Sequence, residues 1–136
     1  MSSPFNEPMP AFVTAVSIAD ANEHVVITSP RVIVDDPQSV VVLHGMIDIT
    51  LGADSSAVTL LLKRGATTAG TLITEGGTWG PFTVVPSLEA PGLVMGFDEP
   101  GMVFDEVYVL TVTVTDASAA STVNAAYLEA IVIGKT

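Results

Sequence analysis

The side chains able to do chemistry in this sequence are few: two histidines, His24 and His44, one tryptophan, no cysteine, and 15 carboxylates against four bases. A thiol nucleophile and a thiolate metal site are excluded outright. A hydrolytic Ser–His–acid triad needs a histidine beside a nucleophile presented on a sharp turn, and no G-x-S-x-G elbow occurs. His24 and His44 fall on separate predicted strands, both outward by parity, so each reads as a solvated or locally satisfied ring. Zinc would need three or four ligands at close spacing such as H-E-x-x-H, which is absent. No metal, no cofactor and no catalytic residue is read from the sequence, and an enzyme is not expected.

The acid pairs Asp35-Asp36, Asp98-Glu99 and Asp105-Glu106 fall in predicted loops or at their edges, where calcium ligands would stand. Solvated loop acids are the simpler reading. Two carboxylates across a cleft would serve a glycosidase, but one Trp, two Tyr and five Phe make a thin sugar platform. Trp79, flanked by glycines and Pro81, either tips a ligand-binding loop or plugs one end of the fold. The Arg64–Gly70 stretch, R-G-A-T-T-A-G, lacks the Gly-Lys-Ser/Thr ending of a phosphate loop. Four bases (Arg31, Lys63, Arg64, Lys135) at a net charge of −11 cannot line a nucleic-acid groove or hold an anionic membrane.

The elements that must position these groups are strands. A chain of 136 residues supports one core, and 49% hydrophobic against 14% charged residues places it among folded chains. So few ionic residues leave apolar surface that needs covering between subunits. Tyr108, Leu110, Val112 and Val114 alternate with Val109, Thr111, Thr113 and Thr115, the period of a half-buried strand. Val58, Leu60 and Leu62 oppose Thr59, Leu61 and Lys63 in the same way. Val41, Leu43, Ile47, Ile49 and Leu51 oppose Val40, Val42, His44, Met46, Asp48 and Thr50, with Gly45 marking a bulge or kink.

Further strands are expected over 12–18, 24–28, 31–34, 70–74, 78–85 and 122–133, with separators that include 89–92 and 99–101. Strands at this spacing give an all-β protein, a two-sheet antiparallel sandwich with jelly-roll topology, an Ig-like Greek key being the second choice. Residues 1–10 carry Pro4, Pro8 and Pro10 and read as an extended arm ahead of a single sandwich domain over 11–136. The start lacks the basic flank and apolar run of a signal peptide, and no uncharged apolar stretch reaches the ~18 residues a spanning helix needs. A protein soluble when free is expected, with no membrane partner.

The last strand is apolar on both sides. Val123, Ala125, Tyr127, Ile131 and Ile133 are expected to face one way, Ala126, Leu128, Ala130 and Val132 the other. The second set, with small alanines that admit a close backbone, is the expected oligomer contact.

Val58–Gly65 (V-T-L-L-L-K-R-G), Gly70–Ile73, Asp98-Glu99-Pro100-Gly101, Tyr108–Val112 and the closing Val123…Ile133 resemble small jelly-roll virion proteins of tailed bacteriophages, the capsid decoration (cement) or head-fibre type, with a style like TNF-like trimers. The pattern covers about the C-terminal two-thirds of the chain and is one of strands and turns, so no binding residue transfers with it. The resemblance implies a non-enzymatic virion structural protein, a homotrimer on the capsid surface that stabilises the head by bridging subunits of the major capsid protein. The arm residues Pro4, Phe5, Pro8, Met9, Pro10 and Phe12 are then the expected docking segment. The alternative is a receptor- or glycan-binding sandwich that uses Trp79.

Overall fold

The computed structural model describes residues 11–116 and 119–134. Twelve strands follow one another: β1 (Ala11–Ile18), β2 (His24–Thr28), β3 (Val32–Val34), β4 (Val40–Thr50), β5 (Ala57–Arg64), β6 (Thr71–Leu72), β7 (Glu75–Gly76), β8 (Thr78–Thr83), β9 (Glu89–Asp98), β10 (Phe104–Glu106), β11 (Tyr108–Thr115) and β12 (Ser121–Ile133). One sheet runs β1-β12-β4-β9-β7, the second runs β2-β11-β5 with both β6 and β8 on β5, and β10 pairs β3 in a short ribbon.

The pairings nest. β1 lies antiparallel to β12, β2 to β11, β4 to β9 and β5 to β8. A long two-stranded ribbon folded over in this way is a jelly roll, and it separates the expected topology from the Greek-key alternative.

The core forms where parity predicts it. Val41, Leu43, Ile47 and Ile49 of β4 point inward, as do Val58, Leu60 and Leu62 of β5 and Tyr108, Leu110, Val112 and Val114 of β11. Gly45 is no bulge, because β4 pairs through it in unbroken register. It is small for another reason: a Cβ there would stand 3.2 Å from Leu110 Cδ2 and 3.3 Å from Val94 Cγ1. The glycine lets the opposite sheet's leucine into the middle of the interior.

Two expectations are corrected. Residues 89–92, expected to be a separator, form the first turnless part of β9, pairing Thr50, Ile49, Asp48 and Ile47. Pro91 is tolerated because β7 reaches only Gly96 and Phe97, leaving β9 a sheet edge at this level. Gly92 is dictated by packing, since a Cβ would meet Leu60 Cδ1 at 2.9 Å.

The second correction concerns β12. Its register shifts between Val123 and Ala125, a bulge that reverses the parity of everything beyond it. Val123, Ala126, Leu128 and Val132 therefore all face the interior, Ala130 packs against the same core, and Tyr127 and Glu129 share the outer side. The set expected to meet a second subunit, Ala126, Leu128, Ala130 and Val132, is covered by the protein's own second sheet.

Candidate functional site

The surface that stands out is the outer side of the first sheet. Across β12, β4 and β9 the register sets three rows: Tyr127, Met46 and Leu93; Glu129, His44 and Met95; Ile131, Val42 and Phe97. Met46, Leu93 and Met95 are 43%, 45% and 57% exposed, and Ile133 extends the patch at one end. Seven of the nine positions are apolar or aromatic in side-chain body, a face that a solvated sheet would fill with polar residues.

Its polar centre is tied down. His44 meets the Tyr127 ring edge-on, with centroids 5.9 Å apart at 75°. The Tyr127 hydroxyl donates to Glu129 Oε2 at 2.6 Å, which raises the phenol above its ordinary range. At the rim Glu89 shares a hydrogen bond with Asp48, and that bond together with the like charge raises the Glu89 carboxyl.

The outer side of the second sheet is different. Thr113 stands opposite Thr59, Thr111 opposite Leu61, and Thr115 opposite Ala57. Glu23 folds over part of it, accepting from Lys63 Nζ at 2.9 Å and from Thr111 Oγ1 at 2.5 Å, while Lys63 also donates to the Thr68 carbonyl.

The groups that could do chemistry are dispersed or consumed. His24 lies on β2 of the second sheet, its Nε2 2.6 Å from Asp20 Oδ1, so it shares no site with His44. Asp20 is lowered by the Asn22 backbone N–H and by that histidine. Asp36 closes a turn by accepting from the Gln38 backbone N–H at 2.8 Å. Asp105 accepts from Arg31 Nε at 2.8 Å, which lowers the carboxyl and raises the guanidinium.

Asp98, read as a loop acid, is instead fully buried at the end of β9. The Tyr108 hydroxyl donates to its Oδ2 at 2.7 Å and Thr74 Oγ1 to its Oδ1 at 3.1 Å. Arg64 Nε lies 2.8 Å from Oδ2 but off the N–H line, so this contact is ionic and makes no hydrogen bond. The guanidinium also sits 5.9 Å over the Phe104 ring. Burial first, then the bond to Asp98, pushes the Tyr108 hydroxyl far above its ordinary range. In this cluster the Asp98 side chain is fully buried and the Arg64 side chain nearly so.

Trp79 lies on β8 opposite Leu60 and packs on the core, so it plugs one end and is not a loop tip. Phe82 meets it edge-on at 4.6 Å. Together with Leu51, Val84, Val85 and Leu88 they line an open groove of about 290 Å³. Among the described residues no group of three or more His, Asp or Glu is placed to hold a metal ion. Nor is any helix among them long and apolar enough to cross a membrane. Every described base is ion-paired: Arg31 with Asp105, Lys63 with Glu23, Arg64 with Asp98. Among the described residues no lysine or arginine is left without an acidic partner.

Of the arm residues, Pro4, Phe5, Pro8, Met9 and Pro10 lie outside the described residues, and Phe12 pairs Tyr127 through the β1–β12 ladder. Sequence reasoning missed Leu93, Met95 and Phe97 because Pro91 and Gly92 broke the strand pattern. The alternation of Leu93, Met95 and Phe97 with Val94 and Gly96 was the available signal.

No protein-family model and no curated protein matches the sequence. Among solved structures, the VP2 subviral particle of infectious bursal disease virus has the same fold: TM-score 0.55 at 10% identity, covering 94% of this chain and 33% of VP2. A structure of the Gx strain of that virus aligns with TM-score 0.47 at 11% identity, covering 93% of this chain and 38% of its own. The chain thus spans about a third of the length of the VP2 chain it matches. The likeness is one of fold.

Proposed function

We propose that this protein is a non-enzymatic structural component of a virion, of the capsid decoration or cement kind, which strengthens the shell by bridging capsid subunits. The observation that carries the reading is the apolar outer side of the β12, β4 and β9 rows on a chain of net charge −11. Such a surface is retained where assembly covers it. The jelly roll shared with VP2, a protein that forms a subviral particle, supports the reading.

Attachment to the major capsid protein is assigned to residues 1–10 and Phe12, and self-association to the outer sheet side in place of Ala126, Leu128, Ala130 and Val132. The resemblance implies a homotrimer, whereas this sheet side, with Glu129 and His44 at one level on adjacent strands, favours the pairing of two copies. A receptor- or glycan-binding role would use the Trp79 groove, whose mainly apolar lining offers few partners to sugar hydroxyls.

The test is attachment. Capsids of the cognate virus stripped of this protein should rebind the purified chain and resist heat or low salt better for it. A chain lacking residues 1–10 should keep its melting temperature and lose attachment. Full attachment without the arm sinks the arm's role, and a wild-type chain that never binds the shell sinks the structural reading.

A further inference from the structure

We infer that the outer side of the first sheet is an isologous interface, on which a second copy of this chain stacks face to face about a two-fold axis running along the strands between β12 and β4. This rests on the self-assembling role proposed above and names its surface.

The argument begins with register. A two-fold axis in that position carries β12 of one copy over β4 of the other and keeps each residue at its own level. Glu129 and His44 are directly opposite across β12 and β4. Each copy's His44 therefore lies over the partner copy's Glu129, and the reverse, so the acid and the imidazole in the middle of the face find each other. The same operation lays Tyr127 over the second copy's Met46 and Ile131 over its Val42, apolar on apolar.

It also carries β9 over the second copy's β1, which completes a four-strand set, β1-β12-β4-β9, that maps onto itself. β1 begins at Ala11, level with Leu128 and, through Gly45, with Val94.

Charge selects the occupant. A copy of net charge −11 is repelled by most of its twin's surface, and this face offers a broad ion-poor contact in which an acid and an imidazole can be exchanged reciprocally. Four strands about 4.8 Å apart and about 27 Å long give a flat footprint of roughly 500 Å². Side-chain relief raises it toward the ~600–800 Å² per partner of the smaller stable interfaces. A three-fold ring needs two different patches that fit one another, whereas this patch fits itself, so the copies it joins are two.

The experiment is sedimentation equilibrium on the full chain at micromolar concentration, together with native mass spectrometry of mixed variants. The wild type should weigh twice 14.0 kDa. Met46→Lys should raise the dissociation constant by about 30-fold or more with an unchanged melting curve. Thr113→Lys, on the other sheet, should leave the constant unchanged. His44→Glu and Glu129→Lys, mixed in equal amounts with one isotope-labelled, should give more heterodimer than random pairing, because the axis sets each new charge over its opposite.

A monomer at tens of micromolar overturns the inference. So does an oligomer indifferent to Met46→Lys, or mixed variants that pair at random. The two readings fail separately: a dimer that never binds a shell overturns the virion role and supports this face, and a shell-bound monomer does the reverse.

Discussion

The two outward sides of the sandwich are both built from alternating strands, yet one presents the half-buried Thr59 and Thr113 and the other carries Met46, Leu93, Met95, Tyr127 and Ile131. Alternation reports only which side faces the core. Whether the other side is wet depends on the residue types placed there, since threonine satisfies both β geometry and water while methionine and leucine satisfy only the first. The contrast therefore belongs to the surface, over an interior that both sheets share.

The strongest way to break the contrast is to damage that interior, which must cost both sides alike. Asp98→Asn leaves the Arg64 charge buried against a neutral partner, and a loss of about 3–5 kcal/mol is expected from urea unfolding. A loss under 1 kcal/mol would mean that the Arg64–Asp98 pair holds nothing together.

Tyr108→Phe removes one hydrogen bond to a charged acceptor and should cost about 1.5–3 kcal/mol at neutral pH. Its pH dependence follows from the raised hydroxyl. The contribution is complete below tyrosine's ordinary range and is lost as pH climbs above it toward the raised folded value, because the unfolded chain ionises first. Wild-type stability should fall through that alkaline window, and the phenylalanine variant should show a shallower fall. Parallel curves would place the effect elsewhere.

Gly45→Ala should cost about 1–3 kcal/mol by crowding Leu110 and Val94. In a Leu110→Ala background the added methyl should cost much less, and equal penalties in the two backgrounds would refute the packing account of this glycine.

The smallest expected effect sharpens the contrast most. Leu93→Thr makes one side resemble the other and should change monomer stability by no more than about 0.5 kcal/mol. Hydrophobic-dye binding by the monomer should fall with it, and an unchanged signal would show that this patch is not the apolar surface it is taken to be.

The jelly roll was legible in the sequence because β4, β5 and β11 alternate without interruption, so their inward sets could be named residue by residue. Strand β12 was legible as a strand but not by side. A bulge at Asn124 has no signature in a run apolar at nearly every position, and one extra residue turned the expected contact set into core. Strand β9 was hidden by Pro91 and Gly92, which mark turns when no edge position or crowding neighbour can be seen. The burial of Asp98 was equally hidden, because its partners Arg64, Thr74 and Tyr108 come from three other segments.

The nesting of β1 with β12 sets a schedule for synthesis. β12 lies between β1 and β4, so β1 has no partner in the first sheet until β12 has left the ribosome. Nearly all the pairings join distant parts of the chain, which favours slow, late closure over stepwise growth. A nascent chain therefore cannot display the Tyr127–Met46–Leu93 row before β12 has paired with β4.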